Sequence, residues 1–133
     1  MKRTTLFKIL TLLYLVAVAV LCFANFSSLP KAPRHILGFD ADKVVHFLMF
    51  FPFPLLAYFS FPLNKRGLVF TFFAIVLIFG VGCGLAGITE YVQSKLPYRK
   101  MDAADFNADM LGLLLASLIT FIISLFIHSR KNA

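Results

Sequence analysis

Four long stretches of this chain carry no charged side chain, and they constrain its fold more than any other feature. They cover residues 9–30, 44–64, 67–89 and 110–127, with lengths of 22, 21, 23 and 18, and together they make up 84 of the 133 residues. A helix needs roughly 20 apolar residues to cross a bilayer. Because backbone polar groups in lipid must be hydrogen-bonded within each segment, the pattern predicts an all-α integral membrane bundle of four transmembrane helices. With only 14% charged residues, a soluble globular domain and a disordered chain are both excluded.

The lengths of the connections predict one membrane domain. It covers residues 1–133, with spans at approximately 6–25, 44–62, 68–94 and 106–127. The N-terminus has the basic start of a secretory signal, but its apolar run exceeds the roughly 7–15 residues typical of such a signal. We therefore expect an uncleaved first helix. In the second span, Pro52 and Pro54 predict a kink or a partly unwound turn.

Charged residues outside the spans predict the orientation of the bundle. Seven basic residues lie at the N-terminus, the 61–67 connection and the C-terminal tail, and six lie in the other two connections. The second side also holds every acidic residue: Asp40, Asp42, Glu90, Asp102, Asp105 and Asp109. That side is therefore neutral, and the first side carries the whole net charge of +7. Because anionic lipids of the cytoplasmic leaflet attract Lys and Arg, we expect both termini in the cytoplasm. No soluble basic face exists that would bind nucleic acid.

Small residues recur at helical spacing on the last two spans. They are Gly80, Cys83, Gly84 and Gly87 on the third span, and Ala108, Gly112, Ala116, Thr120 and Ser124 on the fourth. Because small residues let helix backbones approach closely in lipid, we expect these two stripes to pack against each other instead of lining a pore. Residues 82–87 also match GxGxxG, but a dinucleotide site needs a strand–turn–helix, and these glycines lie inside an uncharged span.

Ionisable residues gather at one end of the predicted bundle. The catalytic candidates are His46 and Glu90, as an acid/base pair, with Asp105; the substrate-binding candidates are Asp42, Lys43, Gln93, Arg99 and Asp109. Ionisable groups within a span are costly and indicate function by default. A desolvated His or Glu can exchange protons near neutral pH. Arg99 and Lys43 suit an anion such as phosphate. Asp102, Asp105 and Asp109 suit Mg²⁺ or Ca²⁺, because both ions prefer oxygen ligands.

The same residues also admit structural roles. Asp42 and Asp105 can cap helix N-termini, and His46 can join Glu90 as a hydrogen-bonded clamp between helices. A structural role is favoured for any single residue, whereas the convergence of the whole set favours function. No nucleophile motif accompanies the set, so a membrane enzyme and a non-catalytic binding protein both stay open. Four spans without a visible inverted repeat make a transporter or a subunit of a membrane complex the weaker alternative.

Three motifs at this end resemble the VanZ-like family of small bacterial membrane proteins, named for a teicoplanin-resistance accessory protein. They are Asp42-Lys43-x-x-His46-Phe47, Glu90-x-x-Gln93, and Pro97-x-Arg99 followed by Asp105-x-x-x-Asp109-x-x-Gly112, in order across roughly residues 38–127. The resemblance implies a multi-pass protein of the bacterial plasma (inner) membrane, linked to glycopeptide tolerance in the cell envelope. For an enzyme or a binding protein in that setting, the expected partner is a membrane lipid or an envelope precursor, recognised at its headgroup.

Two positions depart from the family pattern. Phe50 stands where many members have Tyr, and Asp109 stands where many have Asn. Because the family has no settled reaction, the resemblance implies a context and not a mechanism.

Overall fold

In the computed structural model, the chain forms an all-α bundle of four membrane spans. The structure describes residues 2–28, 30 and 33–132. The helices are α1 (Arg3–Phe23), α2 (Ala41–Phe50), α3 (Phe53–Ser60), α4 (Leu68–Gln93) and α5 (Ala103–Asn132), with two short strands, β1 (His35–Ile36) and β2 (Phe39–Asp40), and a 3₁₀ turn at Leu63–Lys65. Four helical segments are long and apolar enough to cross a membrane: α1, Ala41–Ser60, α4 and Ala103–Arg130. The predicted four-helix membrane bundle is confirmed.

The second span is interrupted where its prolines predict a kink or a partly unwound turn. The helix is interrupted at Phe51 and Pro52, although both residues keep right-handed helical dihedral angles. Proline has no N–H to donate, so the backbone hydrogen-bond ladder is broken at this point. The hydroxyl of Tyr14 on α1 donates a 2.6 Å hydrogen bond to the carbonyl of Met49, in the last turn of α2. A side-chain hydrogen bond therefore joins the neighbouring span to the turn of α2 just before the interruption.

Helix α5 is the central element of the bundle. It packs against α2, α3 and α4, whereas α1 packs against α3 and α4. The small face of α5 is buried at Gly112, Ala116, Thr120 and Ser124. A Cβ atom on Gly112 would collide with the backbone carbonyl of Phe47 on α2. Glycine at this position lets the two helix backbones touch, and this contact draws the start of α5 towards the start of α2.

The predicted small-residue stripe of α4 is wrong. Gly80 and Gly84 are exposed on the outside of the bundle, and nothing lies within 4 Å of a Cβ atom built at either position. The close contact is made by Gly82, where a Cβ atom would lie 2.6 Å from a side-chain carbon of Leu113 on α5. Helix α4 turns this other face inwards because the same face carries Glu90, whose carboxylate is buried against α2 and α5.

A short antiparallel hairpin precedes α2. Its register pairs His35 with Asp40 and Ile36 with Phe39. Leu37 and Gly38 form the turn, with φ angles of 53° and 84°. Two left-handed central residues are the signature of a two-residue type I′ hairpin. The N–H of Ala41 donates a 3.0 Å hydrogen bond to the carbonyl of Arg34, so the hairpin is joined directly to the first turn of α2.

Candidate functional site

Ionisable side chains from three helices converge at one end of the bundle, which we call the acidic end. Here α2 and α5 begin and α4 ends. The His46 cluster consists of His46 and Asp42 on α2, Glu90 on α4, and Asp105 and Asp109 on α5. Within each of α2 and α5 the two residues are four apart, so they lie on one helix face. All but Asp42 are buried, with exposed fractions of 4% for His46 and Glu90, 5% for Asp105 and 0% for Asp109.

The imidazole of His46 separates the carboxylates into two groups. On one side, Nδ1 lies 2.9 Å from Oδ1 of Asp109 and 3.8 Å from Oε1 of Glu90. On the other side, Nε2 lies 3.7 Å from Oδ2 of Asp105. Only the contact with Asp109 has hydrogen-bond length. One ring nitrogen is therefore engaged inside the bundle, and the other is directed to the acidic end.

Three buried carboxylate oxygens accept no hydrogen bond from the described residues. They are Oε1 of Glu90, Oδ1 of Asp105 and Oδ2 of Asp109. A buried polar atom without a partner costs free energy, and a buried charge costs much more unless it is paired or coordinates a metal. The cluster therefore requires a compensating cation or bound protons.

Two sets of residues in the cluster could hold a metal ion. One is Asp42, His46 and Asp105, and the other is His46, Glu90 and Asp109. Within each set, the ligand atoms lie within 4.8 Å of one another. The first set reaches the surface through Asp42, and the second is wholly buried. Imidazole combined with carboxylate suits ions such as zinc, iron and manganese.

Lys43 lies at the rim of the cluster. Its Nζ is 3.4 Å from Oδ2 of Asp40, 3.4 Å from Oδ2 of Asp102 and 3.9 Å from Oδ1 of Asp105. Asp40 and Asp102 are half exposed, whereas Asp105 is buried. Lys43 therefore balances charge at the rim, as one cation among three acids.

Asp102 lies outside the cluster. Its carboxylate accepts a 2.8 Å hydrogen bond from the N–H of Ala104 at the start of α5. This hydrogen bond, together with the ammonium of Lys43, lowers the pKa of Asp102 below its ordinary value. The predicted Mg²⁺ or Ca²⁺ set of Asp102, Asp105 and Asp109 is not assembled, because Asp102 faces the rim and Asp109 lies beyond the imidazole.

Two of the predicted substrate-binding residues lie against α1 instead. The amide of Gln93 donates a 3.0 Å hydrogen bond to the carbonyl of Cys22, and the guanidinium of Arg99 donates a 2.8 Å bond to that of Leu21. The hydroxyl of Tyr98 donates to the carbonyl of Phe23 at 2.7 Å. These carbonyls belong to the last turn of α1, where the helix itself supplies no N–H donors to them. Gln93 and Arg99 therefore act as caps of α1 in this structure.

The remaining candidates are brought together as the sequence analysis predicts. Asp42, His46, Glu90, Asp105 and Asp109 meet, and Lys43 lies beside them. The sequence motifs assign no role to the hairpin, although Arg34 at its base lines a pocket next to Asp42. The available signal was Leu37-Gly38 between Ile36 and Phe39, because a glycine between apolar residues indicates a tight turn.

Comparison with known proteins supplies no function that could be transferred to this chain. The chain is similar to an uncharacterized protein of the fission yeast Schizosaccharomyces pombe, with 38% identity over 90 residues, which are 68% of this chain and 50% of the relative. The chain thus spans about half the length of the curated relative that it matches. No family model matches the chain, and no solved structure matches it.

This relative corrects the functional prediction. We predicted a bacterial cell-envelope protein linked to glycopeptide tolerance, and that prediction is wrong because the relative is eukaryotic. Localisation to a bacterial plasma membrane is likewise unsupported. The four apolar helices do support a multi-pass membrane protein. The resemblance to the VanZ-like family stays a prediction that no comparison tests.

Proposed function

We propose that this integral membrane protein binds a divalent transition-metal cation at the acidic end of its bundle, through Asp42, His46 and Asp105. One observation carries the proposal. The buried His46 imidazole is held at Nδ1 by Asp109, at 2.9 Å, and its Nε2 faces Asp105.

The pairing of His46 with Asp109 has the form of a metal site. A histidine that binds a metal usually donates the N–H of its other ring nitrogen to a carboxylate or a carbonyl, and this bond fixes the tautomer. Here Asp109 accepts the Nδ1–H, which leaves the lone pair on Nε2 for a cation. Glu90, at 3.8 Å from Nδ1, is a second acceptor on the same side. Asp109 is then a positioning residue, and His46 is a ligand.

The distances around Nε2 suit a metal ion with little rearrangement. Metal–ligand bonds to nitrogen and oxygen are roughly 2.0–2.2 Å, so neighbouring ligand atoms around one ion are about 3–4 Å apart. Nε2 of His46 and Oδ2 of Asp105 are 3.7 Å apart. The carboxylate of Asp42 lies within 4.8 Å of both residues' ligand atoms.

The charge of the cluster favours a divalent ion. Four carboxylates surround one imidazole, and the nearest ammonium, on Lys43, is shared with Asp40 and Asp102 at the rim. A +2 ion would offset two of the four negative charges where water cannot screen them. It would also compensate the charge at the buried Oδ1 of Asp105, which accepts no hydrogen bond from the described residues.

The site would leave one coordination position open. Three protein ligands with an exposed Asp42 correspond to the open arrangement of catalytic metal sites, in contrast to the closed shell of structural ones. A bound cation supplies Lewis acidity at that position. The chain's own part is to orient His46, to exclude water from its inner side and to keep the outer side accessible.

The proposal is tested by metal titration of the purified protein in detergent, with zinc and manganese as separate probes. We expect one ion per chain for the wild type. His46→Gln should weaken binding by more than the roughly 10–100-fold lost when an outer-shell partner is removed. Asp40→Asn is the matched control, because it removes an exposed carboxylate at the same end and should leave the affinity unchanged. Equal binding by wild type and His46→Gln would refute the site, provided that helix content measured by circular dichroism is the same.

A further inference from the structure

A surface pocket with charged and apolar walls lies between the hairpin and the first turns of α2. Its volume is about 660 Å³, and its walls include Arg34, His35, Asp42 and Lys43. Pockets of about 300–1,000 Å³ are typical of small-molecule sites. The pocket shares Asp42 with the proposed metal ligands, so a molecule bound here would lie next to the open coordination position.

Arg34 is the cation in this pocket that is available to a ligand. Its guanidinium is exposed and makes no ion pair with any residue that the structure describes. Asp40, by contrast, is engaged by Nδ1 of His35 at 3.3 Å and by Lys43 at 3.4 Å. A guanidinium presents a planar set of donors that matches a phosphate group. The pocket therefore offers a cationic donor beside Asp40, whose charge is already balanced.

The tip of the hairpin is apolar and solvent-exposed. Ile36, Leu37 and Phe39 are 36%, 93% and 69% exposed. Leu37 also has a φ angle of 53°, a left-handed conformation that Asn, Asp or Gly adopts at lower cost. An outlier of this kind favours a functional reason for the residue. An apolar tip at the end of a membrane bundle is suited to insertion among lipids.

We propose that the pocket binds the phosphate headgroup of a membrane lipid, with Arg34 as its main contact and the hairpin tip inserted beside the acyl chains. The apolar tip favours a lipid over free phosphate as the source of that group. The position of the headgroup next to a metal ion rests on the proposed function, whereas headgroup binding by Arg34 does not require the ion.

The test compares two lipids that differ only in phosphate. Purified protein is mixed with dioleoyl phosphatidic acid or with dioleoylglycerol, and the lipid retained by each chain is counted by native mass spectrometry. We expect phosphatidic acid to be retained at least about 10-fold better, as the strength of charge-assisted hydrogen bonds implies. Arg34→Gln should abolish that preference. Lys100→Gln, which removes an exposed cation from another connection, should preserve it.

Three results would overturn the inference: equal retention of the two lipids, an unchanged preference in Arg34→Gln, or complete displacement of phosphatidic acid by inorganic phosphate, which would identify a free-anion site. The experiment is repeated after metal removal by a chelator. The lipid preference should survive chelation. Wild-type protein that prefers phosphatidic acid but binds no zinc in the titration would refute only the metal site, and protein that binds zinc but shows no lipid preference would refute only the lipid site.

The hairpin is tested independently by fluorescence. The chain contains no Trp, so Leu37→Trp introduces a single reporter at the tip. In phosphatidylcholine vesicles, brominated acyl chains should quench its emission and the spectrum should be shifted to the blue. An unquenched, water-like spectrum would show that the tip does not enter the bilayer and would overturn the lipid assignment.

Discussion

Oδ1 of Asp109 lies 2.9 Å from Nδ1 of His46, and the Asp109 side chain has no solvent exposure. Asp109 belongs to α5 and His46 to α2, two helices whose backbones touch at Gly112 and Phe47. The close helix contact therefore sets the distance of the hydrogen bond, and the hydrogen bond sets the direction of Nε2.

Substitution of Asp109 should weaken metal binding without removing a ligand. We expect zinc affinity to fall roughly 10-fold in Asp109→Asn, which keeps an acceptor but loses the charge, and up to about 100-fold in Asp109→Ala. The measurement is a zinc titration with binding stoichiometry. A stoichiometry that falls to zero in Asp109→Asn would instead make Asp109 a direct ligand.

Gly112 should be a position where a single methyl group is costly. Gly112→Ala would push a Cβ atom into the carbonyl of Phe47, and forced overpacking typically costs about 1–3 kcal/mol. The control is Gly84→Ala on α4, where nothing lies within 4 Å of the added atom. Thermal unfolding in detergent should show a lower midpoint for Gly112→Ala alone. Equal midpoints for the two variants would contradict the close approach of α2 and α5.

The caps of α1 should contribute to stability and not to the site. Tyr98→Phe removes one hydrogen bond to the carbonyl of Phe23 and should cost about 0.5–1.5 kcal/mol of unfolding free energy. Arg99→Gln should likewise destabilise the protein, because the carbonyl of Leu21 loses its donor. Zinc titrations of both variants should match the wild type. If Arg99→Gln lost zinc binding while its stability stayed unchanged, Arg99 would be assigned to the binding site.

The pH dependence of stability should show the contribution of Asp102. The N–H of Ala104 first, and Lys43 after it, lower the pKa of Asp102 from 3.8. A carboxylate with a lowered pKa in the folded state stabilises the protein above its ordinary pKa, and this contribution disappears as the pH falls through the lowered value. Unfolding midpoints of wild type and Asp102→Asn should therefore differ near neutral pH and converge below pH 3.8. A difference that stays constant into acid would assign the effect to another group.

The sequence predicts the bundle well because the membrane leaves few alternatives. Uncharged runs of span length and the two prolines of FFPFPLL are local signals. The runs predict the four spans, and the prolines predict the interruption of the second span; both are confirmed. The face that α4 presents was predicted wrongly, because Gly80 and Gly82 are equally small and differ only in what surrounds them. The inward position of Gly82 depends on Leu113, which lies 31 residues away in the sequence.

The sequence predicts which residues form the His46 cluster, but it does not predict which role each of them has there. Spacing along α2 and α5 places Asp42 with His46 and Asp105 with Asp109, whereas only the packed structure separates the two sides of the imidazole. Gln93 and Arg99 looked like binding residues because they are polar and near the cluster. Their true acceptors are backbone carbonyls of α1, which no sequence motif marks.

A pair of charge-matched variants distinguishes a cation on the Nε2 side of His46 from one on the Nδ1 side. Asp42→Asn and Glu90→Gln each remove one negative charge from the cluster, on opposite sides of the imidazole. Zinc titration should show a loss of more than about 10-fold for Asp42→Asn and a change of no more than a few-fold for Glu90→Gln, because only Asp42 is a ligand. The reverse order would exclude the Nε2 site and place the metal on the Nδ1 side, between Glu90 and Asp109.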